Sequence, residues 1–180
     1  PGGQVALLSA LGASRSATTV GGELHEHRAR LIMNSVSGVP GFGGAVVGDS
    51  RQPPIRQGVD RVLLDVPCTG LGVVRRRPEL RWRRTPGDVP ALKKLQTELL
   101  NAGLDLLRPG GVLAYVTCSP HIAETELVVS SVTRRRTDVH VEDSRSLFPG
   151  VDSLGNGPNV RLWPHLHGTD GMFFSLMRRT

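Results

Sequence analysis

The sequence is short of the residues on which several protein classes depend. Two cysteines in 180 residues are too few for a small secreted disulfide scaffold, and we interpret them as intracellular thiols. No apolar run reaches the ~18 residues of a membrane span, so no membrane association is expected. The opening segment PGGQVALLSALG lacks a basic region and a cleavage site, which predicts no signal peptide and a cytoplasmic protein.

Lysine is almost absent, and arginine supplies nearly all of the 22 basic residues. The formal net charge is +6 and the isoelectric point about 10.6, a balance that favours a phosphate-bearing partner such as RNA. Solvated surface charge and genome base composition explain arginine runs equally well, and we interpret residues 134–136, at a predicted helix end, in this way. The cluster after the first cysteine is instead predicted to bind RNA: Arg75, Arg76, Arg77 and Arg81.

Strand and helix patterns alternate along the chain. RVLLD and GVLAYVT are short, nearly continuous apolar runs, as expected of strands buried on both faces. VPALKKLQTELLNAGLDLL, between them, has apolar residues at helical spacing. These patterns predict a doubly wound α/β fold with a mostly parallel sheet, in one domain that spans residues 1–180. VRLWP and GMFFSLMRR follow without a helix between them, which predicts an antiparallel C-terminal hairpin at one side of the sheet.

Acidic residues and both cysteines follow the predicted strands directly. Glu23 and Asp49 come after the first two strands, Asp65 and Cys68 after RVLL, and Cys118 after GVLAYVT. Because ligands bind at the carboxyl ends of the strands in such sheets, these residues are predicted to line one cleft. Each also has a purely structural explanation, since acids cap helices and free cysteines are often buried.

A glycine turn precedes the first predicted helix. Glu23 lies 20 residues beyond Gly3 (23 − 3), the spacing of a nucleotide-binding fingerprint in which glycines admit the ligand and the acid holds ribose hydroxyls. Asp49 has the chemistry to accept a hydrogen bond from an adenine amino group. A turn that only caps a helix explains the glycines equally well. The pattern favours an adenosine-containing ligand without deciding which one, and a turn at residues 1–3 indicates that the first strand of the sheet is missing.

Two longer motifs resemble a known family. DVPCTGLGVVRRRPELRW and GVLAYVTCSP together resemble the RNA 5-methylcytosine methyltransferases, and within them the bacterial small-subunit ribosomal RNA methyltransferase B type, also called Fmu or Sun. LWPHLHGTDGMFF is similar to that family's ending, and PGGQVALLSALG to the second half of its cofactor motif. The likeness runs along the whole chain. It implies a Rossmann-like class I methyltransferase fold that lacks its first strand and the family's N-terminal helical RNA-binding region.

The resemblance implies a reaction and roles for three residues. The methyl group of S-adenosyl-L-methionine would pass to C5 of a cytosine in small-subunit ribosomal RNA, after a cysteine thiolate has added to C6. Cys118, in the Thr-Cys motif, would attack; Cys68, in the Pro-Cys motif, would assist product release; and Asp65 would orient the base. DNA cytosine methyltransferases attack from the Pro-Cys motif, so the presence of both cysteines favours the RNA class. The base would have to be exposed or flipped to react.

The resemblance also implies a set of cofactor-binding residues. Glu23 would hold the ribose hydroxyls and Asp49 the adenine, while the glycines face the cofactor through their backbone. Gln4 stands where the family has a lysine. The full predicted set is Pro1, Gly2, Gly3, Gln4, Glu23, Arg28, Asp49 and Asp65.

Two other functions remain open on the sequence. A basic RNA-binding or ribosome-assembly module would keep the methyltransferase fold without activity, although binding alone does not require Asp65, Cys68 and Cys118 together. A Rossmann-type methyltransferase with another acceptor would leave the paired cysteine motifs unexplained. No metal is expected, because two cysteines 50 residues apart (118 − 68) and the nearby His121 do not complete a tetrahedral set. We expect a monomer.

Overall fold

The computed structural model describes residues 2–180 and divides them into two units. The first unit extends to Ile55, and the second is Arg56–Thr180. Within these described residues, no helix is both long enough and apolar enough to cross a lipid bilayer.

The first unit is a helix followed by a β-α-β motif. Its elements are α1 (Gly3–Ala13), β1 (Thr19–Glu23), α2 (Glu26–Ser35) and β2 (Phe42–Val47). β1 and β2 pair in parallel, with Glu23 opposite Val47, so both strands end at the same edge. α2 buries Ala29 and Ile32, three positions apart on one helix face, and Val36 directly after the helix is also buried. The helix predicted after the glycine turn and the two strands predicted before Glu23 and Asp49 are confirmed.

Gly2 precedes α1 in a conformation that favours glycine. Its φ is +107°, a region that residues with a Cβ rarely adopt. A Cβ at this position would also lie 2.7 Å from the Cβ of Ser35 at the end of α2. The glycine turn thus lets the start of α1 lie close to α2.

The second unit is a mixed sheet with helices between its strands. Its elements are β3 (Val59–Asp65), α3 (Leu80–Arg83), α4 (Asp88–Leu106), β4 (Leu107–Thr117), α5 (Glu126–Thr133), β5 (Val139–Glu142), β6 (Val160–Leu162), α6 (Pro164–His167) and β7 (Met172–Arg179). The strand order is β3-β4-β7-β5, and β6 pairs with the same edge of β7 as β5 does.

β7 is the one strand of this sheet that runs against the others. β3 and β4 are parallel, whereas β4, β5 and β6 each pair antiparallel with β7. The predicted antiparallel pairing of the last two strands is confirmed, but the short helix α6 lies between them, and β7 lies between β4 and β5 and not at one side of the sheet. The segment 163–171 that joins β6 to β7 is too short for the crossover of about a dozen residues that a parallel return needs.

The core of the second unit lies between its helices and its central strands. β4 and β7 turn alternate side chains inward, including Leu113, Tyr115 and Phe173, all fully buried. Leu100 and Leu104 of α4 are also fully buried, which confirms the predicted apolar face of that helix. Each such side chain contributes about 1.5–3 kcal/mol of burial free energy. This packing fixes β3 and β4, and with them the loops that leave their carboxyl ends.

Candidate active site

The two cysteines meet at the carboxyl ends of β3 and β4. Cys118 directly follows the last residue of β4, and Cys68 lies three residues beyond the end of β3. Their strands are adjacent and parallel, with Asp65 opposite Val116, so both loops leave the same edge. The two Sγ atoms are 3.3 Å apart, and both thiols are free and half-buried. The prediction that these cysteines share one site is consistent with this geometry.

The two thiols differ in acidity. The hydrogen bond from the Cys118 thiol, opposed by burial, lowers the pKa of Cys68 to about 7. The same contact, together with burial and the negative charge of Cys68, raises the pKa of Cys118 well above the ordinary value. The pair therefore loses its first proton at a pH of about 7 and keeps its second far above that pH, so that above pH 7 it shares one thiolate and one thiol.

Asp65 is the last residue of β3 and is exposed. Its carboxylate lies near enough to Cys118 for its negative charge to contribute to the raised pKa of that thiol. The structure thus brings together the three residues predicted to be catalytic: a thiolate, a thiol and a carboxylate on adjacent loops. A carboxylate that faces a cysteine pair has the hydrogen-bonding capacity to accept from an amino group of a base.

Three loops are joined beneath this pair by two glycines. The N–H of Gly72 donates to the carbonyl of Cys118 at 2.9 Å, and the N–H of Gly171 donates to the carbonyl of Gly72 at 2.8 Å. A Cβ on Gly72 would overlap the carbonyl of Gly171 and lie 2.7 Å from the carbonyl oxygen of Cys118. The loops after β3, after β4 and before β7 therefore approach each other too closely for any side chain at this position.

A cavity of about 320 Å³ lies beside these loops. Its apolar lining includes Leu71, Pro120 and Trp163, and two of the predicted RNA-binding residues, Arg75 and Arg81, also line it. An apolar surface with an indole ring next to two guanidinium groups suits a nucleobase and its phosphate. The sequence did not single out Trp163, which lies about 100 residues along the chain from the first cysteine.

The other two predicted RNA-binding arginines have acidic partners. Arg76 forms an ion pair with Asp170, and Arg77 forms one with Glu79 at 3.2 Å. Trp82, in the neighbouring helix α3, is 79% exposed. The signal for it was in the sequence, since a tryptophan among arginines in RWRR is the composition of a base-stacking surface.

In the first unit, Glu23 is held by its neighbours. It ends β1, and its carboxylate accepts from the backbone N–H groups of Leu24 at 2.9 Å and His25 at 3.3 Å and from the guanidinium of Arg28 at 2.8 Å. Burial by itself would raise the pKa of Glu23, but these hydrogen bonds outweigh it and hold the pKa below the ordinary value. Arg28, predicted to contact the cofactor, here fixes the orientation of the Glu23 carboxylate.

Asp49 lies two residues beyond β2, at the same edge of the two-stranded sheet as Glu23. The guanidinium of Arg51 forms an ion pair with it at 2.6 Å, and its hydrogen bonds lower the pKa of Asp49. Gly3 and Gln4 occupy the exposed first turn of α1. The prediction for Pro1 lies outside the described residues.

The described part of the chain offers no cluster of three or more histidine, cysteine or acidic side chains arranged to hold a metal ion. His121 instead accepts a hydrogen bond from the N–H of Ala123 at 3.1 Å and begins a short 3-10 turn. Residues 134–136, read as helix-end charge, include Arg136, which pairs with Asp105 and Asp138 after the end of α5. Arg136 therefore has a structural role.

Comparison with known proteins gives a consistent picture. The chain is 52% identical to a Mycobacterium tuberculosis protein described as a candidate methyltransferase, over 99% of this chain and 39% of that protein. It is 30% identical to ribosomal RNA small subunit methyltransferase B of Vibrio cholerae, again over 99% of this chain and 39% of the relative. The chain thus spans about two fifths of the length of the curated relatives it matches.

Structural comparison extends the likeness. The crystal structure of NSun6 from Pyrococcus horikoshii with SFG matches 99% of this chain and 45% of that chain, with a TM-score of 0.85 and 31% identity. The fold is therefore that of the Rossmann-like methyltransferases, as predicted. The family model described as 16S rRNA methyltransferase RsmB/F matches residues 1–178. The chain belongs to the RsmB/F family of 16S ribosomal RNA methyltransferases.

Proposed function

We propose that this protein transfers the methyl group of S-adenosyl-L-methionine to C5 of a cytosine in small-subunit ribosomal RNA, through a covalent bond between Cys118 and C6. The observation that carries the proposal is the pair of free thiols, 3.3 Å apart, at the carboxyl ends of two parallel strands. A methyltransferase that alkylates a nitrogen or oxygen needs no such pair, whereas cytosine C5 becomes nucleophilic only after a thiolate has added to C6.

The first step uses the unequal acidity of the thiols. In the free protein the negative charge resides on Cys68, so the proton of the Cys118 thiol must pass to Cys68 before Cys118 attacks. The contact between the two sulfur atoms provides that path. The Sγ–C6 bond then forms as the C5=C6 double bond opens, and Asp65 orients the base by accepting from its amino edge.

The last step releases the proton of C5 and returns the proton of Cys68 to Cys118. Once C5 is methylated, its proton passes to water, the C5=C6 bond re-forms and the Sγ–C6 bond breaks. Cys68, now a thiol, gives its proton to the departing Cys118 thiolate, which restores the starting state. Cys68 thus acts at both ends of the cycle, and without it the covalent adduct is expected to persist.

The first unit has residues that fit an adenosine-containing methyl donor. Glu23 is ionised and oriented, with the acceptor capacity that ribose hydroxyls require. A Cβ on Gly3, at the start of α1, would meet nothing within 4 Å, so a ligand has room to approach the backbone. When bound, S-adenosyl-L-methionine supplies an electrophilic methyl group on a sulfonium.

The choice of ribosomal RNA is supported by the relatives and by the charge of the chain. The Vibrio cholerae relative is named for small-subunit ribosomal RNA. The net charge of +6 and the arginines beside the cavity suit a polyanion. Free thiols together with a ribosomal substrate support a cytoplasmic location as part of the same proposal.

The test uses RNA that contains 5-fluorocytosine, because fluorine at C5 cannot leave as a proton does and the adduct is trapped. The full-length protein is expected to form a covalent complex through Cys118, identified by mass spectrometry. Cys118→Ala should abolish the complex. Cys68→Ala should accumulate an adduct even on ordinary RNA, because it removes the hydrogen bond and the charge that raise the pKa of Cys118, and Cys118 then ionises and attacks without a partner thiolate.

Two results would overturn the proposal. One is methylation of cytosine C5 by Cys118→Ala at a rate close to that of the unchanged protein. The other is tight RNA binding with no methyl transfer by the unchanged protein, which would favour the RNA-binding or assembly module.

A further inference from the structure

A fully buried carboxylate lies behind the two cysteine loops. Glu124 is 0% exposed and ends the short 3-10 turn Ile122–Glu124. Its Oε1 accepts from the backbone N–H of Thr69 at 2.9 Å and from the side-chain amide of Gln96 at 3.1 Å. Its Oε2 accepts from the hydroxyls of Thr69 at 2.6 Å and Ser119 at 2.5 Å. Four neutral donors thus surround one buried carboxylate.

Three of the four donors belong to residues that directly follow the two cysteines. Thr69 directly follows Cys68, and Ser119 directly follows Cys118. Their hydroxyl oxygens are 3.2 Å apart and converge on one oxygen of Glu124. One carboxylate therefore ties together two loops that belong to different strands.

Gln96 extends this arrangement to the other side of Cys68. Its amide donates to Glu124 and also, at 2.8 Å, to the carbonyl of Pro67. Of the two chain neighbours of Cys68, Thr69 is thus bonded to Glu124 directly and Pro67 is bonded to it through Gln96. Gln96 belongs to α4 and is itself fully buried, so the loop is anchored to the core.

A carboxylate is costly at this position if its only purpose is stability. Burying a charge without a cation partner costs free energy that hydrogen bonds only partly offset, and an apolar residue of similar volume would avoid that cost. Glutamine, the neutral isostere, has one acceptor oxygen where Glu124 has two, so in either orientation of its amide two of the four donors lose the oxygen to which they donate. The site therefore selects a group that only accepts.

We propose that Glu124 is a positioning residue that holds the sulfur atoms of Cys68 and Cys118 at the separation over which a proton passes between them. The effect of this positioning on catalysis rests on the proposed function. The geometric part does not, because the distance between the two thiols can be probed without RNA or cofactor.

The probe is the rate at which diamide joins the two thiols in the full-length protein. Diamide takes two electrons from the pair as the S–S bond forms, and its two nitrogens take up two protons, one from the Cys118 thiol and one from water. The rate is measured at pH 9, where Cys68, with a pKa of about 7, is already ionised. A change in the rate then reports the separation of the two sulfur atoms and not the ionised fraction of Cys68. Glu124→Gln is expected to slow disulfide formation at least about tenfold.

Turnover provides the second readout. If the sulfur atoms move by about 1 Å, kcat is expected to fall about 100-fold, with KM for RNA unchanged because Glu124 touches no part of the substrate-facing surface. Glu142→Gln is the matched control, since it also removes a hydrogen-bonded carboxylate. Glu142 ends β5, is paired with Arg178 of β7 and forms no hydrogen bond to either cysteine loop. Both rates should stay within about twofold of the unchanged protein in this control.

The outcomes separate the two proposals. A folded Glu124→Gln protein with unchanged disulfide rate and kcat overturns the positioning role. A slowed disulfide rate in a protein whose unchanged form does not methylate cytosine supports the positioning role and overturns only the proposed function. If Glu124→Gln does not fold, Ser119→Ala and Thr69→Val each delete one hydroxyl donor, and an unchanged disulfide rate in both contradicts the proposal.

Discussion

Gly72 donates a hydrogen bond from its backbone N–H to the carbonyl of Cys118, 46 residues later in the chain (118 − 72). The carbonyl of Gly72 in turn accepts from Gly171, so a residue without a side chain links the loop of one cysteine to the backbone of the other. The separation of the thiols is thus fixed from two sides, by this backbone link and by Glu124.

Gly72→Ala is expected to destabilise the protein by about 1–3 kcal/mol, since the added Cβ must displace the carbonyls of Gly171 and Cys118. Urea unfolding gives the free energy, and methylation of RNA gives the loss of activity. Gly87→Ala is the control, because Gly87 has a helical φ of −65° and its Cβ would lie 3.6 Å from the nearest atom. Equal effects of the two substitutions would show that the close approach of the Gly171 and Cys118 carbonyls to Gly72 is unimportant.

Alkylation of Cys68 should report its lowered pKa. Only the thiolate reacts with iodoacetamide, so the rate is expected to rise with pH and to reach half of its plateau at a pH of about 7. Cys118→Ala removes the hydrogen bond that contributes most to the shift, and the midpoint should move up towards the ordinary pKa of 9.0. Mass spectrometry of the modified peptide follows the reaction. A midpoint that does not move in Cys118→Ala would show that the thiols are not coupled.

Arg81 and Arg75 should contribute to RNA affinity through phosphate contacts. Neutralising either with glutamine is expected to weaken binding and to reduce the slope of log Kd against log salt concentration by about 0.7. Arg30→Gln is the control, since Arg30 is exposed and paired with Glu26 within α2. Binding of labelled RNA over a series of salt concentrations measures both quantities. An unchanged slope in Arg81→Gln and Arg75→Gln would remove these residues from the RNA surface.

Glu23→Gln should weaken binding of S-adenosyl-L-methionine. Hydrogen bonds to a charged group contribute about 1.5–3 kcal/mol, so the Kd measured by calorimetry is expected to rise at least about tenfold. Glu26→Gln removes a carboxylate that is largely exposed and paired with Arg30, and it should leave the Kd unchanged. If Glu23→Gln binds the cofactor as tightly as the unchanged protein, Glu23 does not hold the ribose.

Much of the fold follows from local pattern. α4 was predicted from apolar residues at helical spacing, and β3 and β4 from short apolar runs, because burial on one helix face or on both faces of a strand leaves a periodic signal. The position of β7 left no such signal. Its sequence alternates equally well for an edge strand or a central one, and pairing with β4 and β5 is a choice between distant strands.

The residues of the candidate site also divide into those that the sequence indicates and those that it does not. The sequence places Cys68 and Cys118 just beyond neighbouring strands, and parallel pairing then brings them to one edge. It does not indicate Glu124, which reads as an ordinary helix-start acid in HIAETE. The sequence also groups Arg76 and Arg77 with Arg75. In the structure Arg76 and Arg77 form ion pairs with acidic residues, whereas Arg75 lines the cavity.

The sequence by itself determined the strands, the helices and the identity of the reactive groups, since these depend on residue type and on spacing along the chain. Only the tertiary structure decided how the reactive groups interact. The 3.3 Å between the sulfur atoms and three of the four hydrogen bonds to Glu124 arise from contacts between residues about 30 to 55 positions apart. The pKa values of the two thiols depend on those contacts, because a buried hydrogen bond or a nearby charge acts through distance in space and not along the chain.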